Sequence, residues 1–145
     1  MRRAGSTNKK LKVVLITAGT LVLMVATVPA AIWVTHTQTA ELANARARCQ
    51  VGQHTAHHVV FRDNMVLPEH TTARLCDTLT ITNEDPQLRL AAFGPHARHI
   101  SYDGISERAL RQGQSLTVTL IKAGNFTFHD HINDLLRGSF TVEKQ

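Results

Sequence analysis

The stretch Gly124-Asn125-Phe126-Thr127-Phe128-His129-Asp130-His131 alternates apolar and polar side chains and ends on His-x-His. Leu136-Arg137-Gly138-Ser139-Phe140-Thr141-Val142-Glu143 alternates again and closes the chain. A period of two over several residues marks a half-buried strand. Residues i and i+2 of a strand share one face. His129 and His131 therefore share a face at a strand end, where both can meet one metal ion only if the strand breaks its pleat there.

Upstream, the same period recurs in short runs. Residues 58–62 are apolar and β-branched, with Asp63-Asn64 as turn formers. Residues 66–68 break at Pro68, and 71–75 follow. Thr78-Leu79-Thr80-Ile81-Thr82 alternates cleanly, and 83–86 form a turn before a strand over 87–93. Residues 106–110 read as one helical turn, and 115–121 as another strand. Six or seven short strands between turn signals predict an all-β, Greek-key β-sandwich.

At 145 residues the chain has room for one membrane segment and one small domain. The net charge is +5, but Arg2, Arg3, Lys9, Lys10 and Lys12 supply all of the excess. The remaining eleven basic residues are matched by eleven acidic ones, so the charge argues against a nucleic-acid surface. Residues 13–34 carry no charge, enough apolar chain to cross a bilayer as a helix. Basic residues stand only on its N-terminal side, and Trp33 lies at the far end. That pattern predicts a single-pass anchor in the cytoplasmic membrane, N-terminus inside and C-terminal domain outside. A cleaved signal peptide, with Ala30 and Ala31 near the cut, is the competing reading. The predicted organisation is a basic tail over 1–12, a transmembrane helix over 13–34, a polar spacer over 35–50 and the sandwich over 51–145. The spacer reads as a stalk with a short helix starting near Thr39 and no apolar face to bury.

All nine histidines and both cysteines follow the apolar segment. Two cysteines in an oxidising compartment predict a Cys49–Cys76 disulfide; a joint Cu(I) site is the alternative. Gly94-Pro95-His96-Ala97-Arg98-His99 forms a second histidine concentration. His96, His99, His129 and His131 together offer four imidazoles, which suit Cu(II), Zn(II) or Ni(II) without a thiolate. Asp130 or Asp103 is a candidate to orient an imidazole by accepting its other N–H. The plain alternative is that His129 is an exposed strand residue and His131 bonds the backbone. His54, His57 and His58 read as structural or surface residues, and His36 and His70 receive no role.

Several spaced motifs resemble the cupredoxins. Cys76-Asp77-Thr78-Leu79-Thr80-Ile81-Thr82-Asn83-Glu84-Asp85 is similar to their G-D-T-V-T-W-x-N-x-D strand, with Cys76 in place of the Gly. Gly113 to Ser115, followed by Gly124-Asn125-Phe126-Thr127-Phe128, resembles their run ending G-x-Y-x-F, and Gly138 to Val142 resembles their closing strand. The resemblance covers roughly residues 51–143 and implies a cupredoxin-like sandwich. Its blue-copper ligands do not carry over. Arg89 stands where the early His belongs, the Cys is missing from the 128–131 loop, and Leu136 matches the weak Met. His131 alone keeps a ligand-like spacing, seven residues before Gly138. The loop Phe128-His129-Asp130-His131 also resembles the W-Y-H-S-H loop of multicopper oxidases, where both histidines bind copper. In a cupredoxin the strand ending at Phe93 runs away from the copper end, so the His96 and His99 loop would have to climb back.

These observations predict a membrane-tethered, extracytoplasmic domain that binds a metal ion through a His-rich, non-blue site. Copper is the expected metal, with zinc left open, for metal handling or electron transfer. The alternative is a metal-free structural or protein-binding module. No nucleophile–base set, phosphate loop or carboxylate pair marks an enzyme.

Overall fold

The computed structural model describes residues 38–144. The expectations for the basic tail, the transmembrane helix, the first part of the spacer and His36 lie outside the described residues. Among the described residues, no helix is long and apolar enough to cross a membrane.

The first element, α1, spans residues 38–48. The spacer reading is corrected here, because the second half of α1 packs on the domain. The compact unit begins at Leu42. Leu42 lies against Gly104, and one turn on, Arg46 donates through Nε to Asp103 Oδ1 at 2.7 Å. Positions i and i+4 share a helix face, so Leu42 and Arg46 meet the domain side by side. The Cys49–Cys76 disulfide then ties the end of α1 to the turn before β4 (Thr78–Asn83).

Two sheets form the sandwich. The four-stranded sheet has the order β2 (Met65–Leu67), β1 (Ala56–Arg62), β4 and β7 (Ser115–Thr119). The five-stranded sheet has the order β3 (His70–Arg74), β9 (Arg137–Glu143), β8 (Gly124–Asp130), β5 (Arg89–Phe93) and β6 (Glu107–Leu110). β1 pairs parallel with β4, and β3 with β9; the other pairings are antiparallel. The helical turn expected over 106–110 is instead the edge strand β6, since pairing to β5 overrides the weak local pattern. The β1–β2 hairpin turns at Asp63 and Asn64, with φ of 54° and 56°. Two successive left-handed residues match the twist of the flanking strands, and Asp and Asn tolerate that conformation.

The core lies between the sheets. Val59, Phe61, Leu79, Ile81, Ala91, Phe93, Phe128, Phe140 and Val142 fill it. Phe93 and Phe128 both meet Phe140, the former edge to face with centroids 6.2 Å apart. Alternation fixes what remains: along β8, Phe128 faces the core, so Thr127 and His129 face outward. Along β5, Ala91 and Phe93 face inward and Ala92 outward.

Candidate metal centre

Strand register places the candidate site. Ala92 of β5 stands opposite Glu107 of β6 on one side and His129 of β8 on the other. His129 stands opposite Arg137 of β9. Directly opposed residues share a sheet face. Glu107, Ala92, His129 and Arg137 thus form one row across four strands, on the face turned away from the core. Ala92 is the small member of that row, and the chain after β5 folds back over it.

Gly94 makes the return possible. Its φ is +86°, a left-handed conformation. A Cβ there would come within 3.0 Å of Ile100 Cγ1 and 3.2 Å of the Arg98 carbonyl oxygen. The loop closes where Ile100 N–H donates to the Phe93 carbonyl at 2.9 Å, and Arg98 N–H to that of Pro95. The loop therefore climbs back at once and carries His96 and His99 over the outer row. Beyond β8, His131 N–H donates to the Leu90 carbonyl at 2.8 Å, which extends the ladder and keeps His131 on the face of His129.

The four sequence-predicted imidazoles come together. His96 stacks on His131 with centroids 4.5 Å apart, and His99 meets His131 edge-on at 4.6 Å. His96 and His99 lie 5.4 and 5.3 Å from His129, and His129 lies 6.0 Å from His131. One ring nitrogen from each of His96, His129 and His131 falls within 4.8 Å of the others. His99, Glu107 and His131 form a second such group.

His129 is 2% exposed, not the exposed strand residue of the plain reading. Its Nδ1 donates to the Gly94 carbonyl at 2.9 Å, while Nε2 is buried with no partner. Burial pushes its pKa below the ordinary histidine value, and the Gly94 carbonyl offsets this only in part. His129 is thus held toward the neutral form that a metal requires. A cleft of about 220 Å³ opens beside it, lined among others by His96, Phe128, Asp134, Arg137 and Gly138.

The acids expected to orient an imidazole do not do so. Asp130 accepts from Arg89 Nη1 at 3.0 Å and from the Leu90 and Ile132 N–H groups. Asp103 accepts from Arg46 and from Thr119 N–H. Side chains at 130 and 103 point elsewhere because strand parity and the α1 contact claim them. Glu107, 3.2 Å from His99 Nδ1, is the acid at the site. Sequence reading missed it because residues 106–110 looked helical. Asp134, 3.7 Å from His96 Nδ1, borders the site on its other side.

The inner face of the same strands has a different content. Arg89 is 3% exposed and donates to Asp85 at 2.5 Å, Asn64 at 2.6 Å and Asp130 at 3.0 Å. These charges fill the sandwich end where the resemblance to cupredoxins would place a blue-copper ligand. Both cysteines are in the disulfide, so no thiolate is available either. Of the remaining histidines, His57 pairs with Asp77 at 2.9 Å and His70 bonds Ser139 at 2.8 Å.

Comparison with solved structures decides the fold. A purple cupredoxin from Nitrosopumilus maritimus superposes with a TM-score of 0.53 at 14% identity, covering 59% of this chain and 98% of its own. The fold is that of the cupredoxins. A reduced amicyanin mutant matches at TM-score 0.52 and 18% identity, over 65% of this chain and 87% of its own. A reduced Cu(I) form of another amicyanin mutant matches at 0.51 and 18%, with the same coverage. No family model matches the chain, and neither does any curated protein. Within this cupredoxin fold the imidazole cluster occupies the outer face of the sheet whose inner face carries Arg89 and Asp130.

Proposed function

We propose that this cupredoxin-fold protein binds one copper ion through His96, His129 and His131, and that it does so outside the cytoplasm, held by residues 13–34. The observation that carries the reading is His129 Nε2. A buried, unpartnered nitrogen costs about 1–3 kcal/mol, and such atoms are rare unless something completes them. One ring nitrogen from each of His96, His129 and His131 lies within 4.8 Å of the others, so two further histidines stand beside it. Metal–imidazole bonds are about 2.0–2.1 Å long, so donors to one ion lie within about 4 Å of each other. His96, half-exposed, is the ring of the three with room to turn.

Nitrogen donors and the order of divalent-metal affinities favour Cu(II) over Zn(II) at such a site. The disulfide is at home in an oxidising compartment. There copper arrives as Cu(II), and when bound it would supply a one-electron couple. The chain holds His129 toward its neutral form, excludes water from it and keeps the His96 side open to the cleft. That openness supports metal handling ahead of electron transfer.

The test uses the full chain, purified in detergent without a His tag and titrated with Cu(II) and Zn(II). One tight copper equivalent, lost in the His129→Ala/His131→Ala double variant, is the expected result. A chain that stays metal-free under saturating copper and zinc sinks the reading. It would leave a binding or structural module, which the buried Arg89 cluster in place of blue-copper ligands would then explain.

A further inference from the structure

We infer that Glu107 and His99 form a relay, an ion pair followed by a hydrogen bond, that positions His131 as a metal ligand, and that His99 is a positioning residue, not a ligand. The inference rests on the copper site proposed above and adds how that site is oriented.

Each imidazole offers two nitrogens on different edges of the ring, and in the neutral ring one donates and the other accepts. Both nitrogens of His99 have neighbours: Nδ1 stands 3.2 Å from Glu107 Oε2 as an ion-pair contact, and Nε2 is hydrogen-bonded to His131 Nδ1 at 2.8 Å. A carboxylate only accepts and repels a ring lone pair turned toward it, so in the neutral ring the hydrogen of His99 sits on Nδ1, on the Glu107 side. His99 Nε2 is then a lone pair, and it accepts from His131 Nδ1–H. His131 Nε2 is left bearing a lone pair. The same logic applies independently to His129, whose Nδ1 can only donate to the Gly94 carbonyl, which leaves Nε2 free. Two separate chains of bonds fix the same tautomer in both rings, and both present Nε2.

The second group of close donors, His99, Glu107 and His131, is thereby explained without a second ion. A metal at His99 could replace only one of its two contacts and would break the chain. A ligating histidine typically donates its other N–H to a carboxylate or carbonyl, which fixes its orientation and strengthens it as a donor. Here the carbonyl is that of Gly94, and the carboxylate acts through one intervening imidazole. Register explains the placement, since Glu107 and His129 flank Ala92 in one row and the 94–99 loop lowers His99 between them.

The test uses the full chain and the variants Glu107→Gln, Glu107→Asp and His99→Phe. The Glu107 side chain is 44% exposed, so its replacement leaves the fold intact. In the metal-free protein labelled with ¹⁵N-histidine, long-range ¹H–¹⁵N spectra should show His99 and His131 each as the single Nδ1–H tautomer. Glu107→Gln should turn one or both into a mixture. With copper, Glu107→Gln should keep one equivalent, bind Cu(II) about 10–100-fold more weakly and raise the reduction potential. Glu107→Asp should recover most of the loss, and His99→Phe should still bind one equivalent. An Nε2–H His131 in the metal-free protein, a Glu107→Gln variant with unchanged affinity and potential, or loss of the equivalent in His99→Phe would each overturn the relay. If the wild-type chain takes up no copper, the copper reading fails separately, and the tautomer spectra still decide the relay.

Discussion

Replacing His129 by Leu separates the cost of the site from its use. In the metal-free protein the His129 ring has one unpartnered buried nitrogen, Nε2, and one bond from Nδ1 to the Gly94 carbonyl. Leucine removes the first, which relieves about 1–3 kcal/mol, and leaves the Gly94 carbonyl without its donor, which costs a similar amount. The two changes oppose each other at similar size, so metal-free stability should move by no more than about 1 kcal/mol. Copper acts only on the native wild-type chain. At a free concentration about 100 times Kd, a ligand adds about 2.7 kcal/mol. For a domain near 100 residues, 1 kcal/mol corresponds to about 4–8 °C in Tm. Cu(II) should therefore raise the wild-type Tm by roughly 10–20 °C and leave that of His129→Leu nearly unchanged. Thermal melts followed by circular dichroism, with and without Cu(II), read both numbers. A copper shift of equal size in the variant would refute the site. A metal-free variant weakened by several kcal/mol would refute the claim that His129 is held there at a cost.

Three further outcomes follow from the surrounding structure. Arg89→Met leaves Asp85 and Asp130 buried without their cation and should destabilise the domain by about 3–5 kcal/mol, while copper stoichiometry in the folded fraction stays at one; denaturant melts and metal analysis check this. Reducing the Cys49–Cys76 bridge, with a sequence separation of 27, should cost roughly 3.5 kcal/mol by loop entropy, read as a lower midpoint in urea with reductant. Burial holds the His129 pKa below its unfolded value of about 6.5, so the unfolded chain takes up the proton first. Its contribution is then fully present above about pH 6.5 and is lost as pH falls toward the depressed folded pKa; the metal-free protein should weaken over that window, and His129→Leu should flatten the slope.

Strand periodicity made most of the fold legible. Thr78 to Thr82 and Phe126 to Phe128 alternate without exception, and both lie in strands of the sandwich. Residues 107–110 did not declare themselves, because an edge strand exposed at three of four positions has no apolar period to show. The docking of α1 was equally hidden: Leu42 and Arg46 are unremarkable until Asp103 and Gly104 are placed opposite them. At the site, the types of the four histidines were readable and their meeting was not. That meeting depends on Gly94 turning the loop back, which a left-handed glycine permits but does not announce. Glu107 could be found only through register, since it reaches His99 from a neighbouring strand.

Parity along two strands explains why a metal cluster and a missing blue-copper site coexist. On β5, Arg89 faces inward and Ala92 outward; on β8, Asp130 faces inward and His129 outward. A one-residue step crosses the sheet, so loss of ligands at 89 and 130 says nothing about donors at 129 and 131. The inner positions now hold opposite charges that satisfy each other, and a cation placed among them would compete with the Arg89 guanidinium for the same two carboxylates. On the outer face Arg137, the cation in the row of His129, is paired with Asp134. The two faces are thus chemically independent. A chain carrying Arg89→Met should lose stability without losing copper, and one carrying His129→Leu should lose copper without losing stability. That double dissociation distinguishes a metal site built on the outer face from a damaged remnant of an inner one.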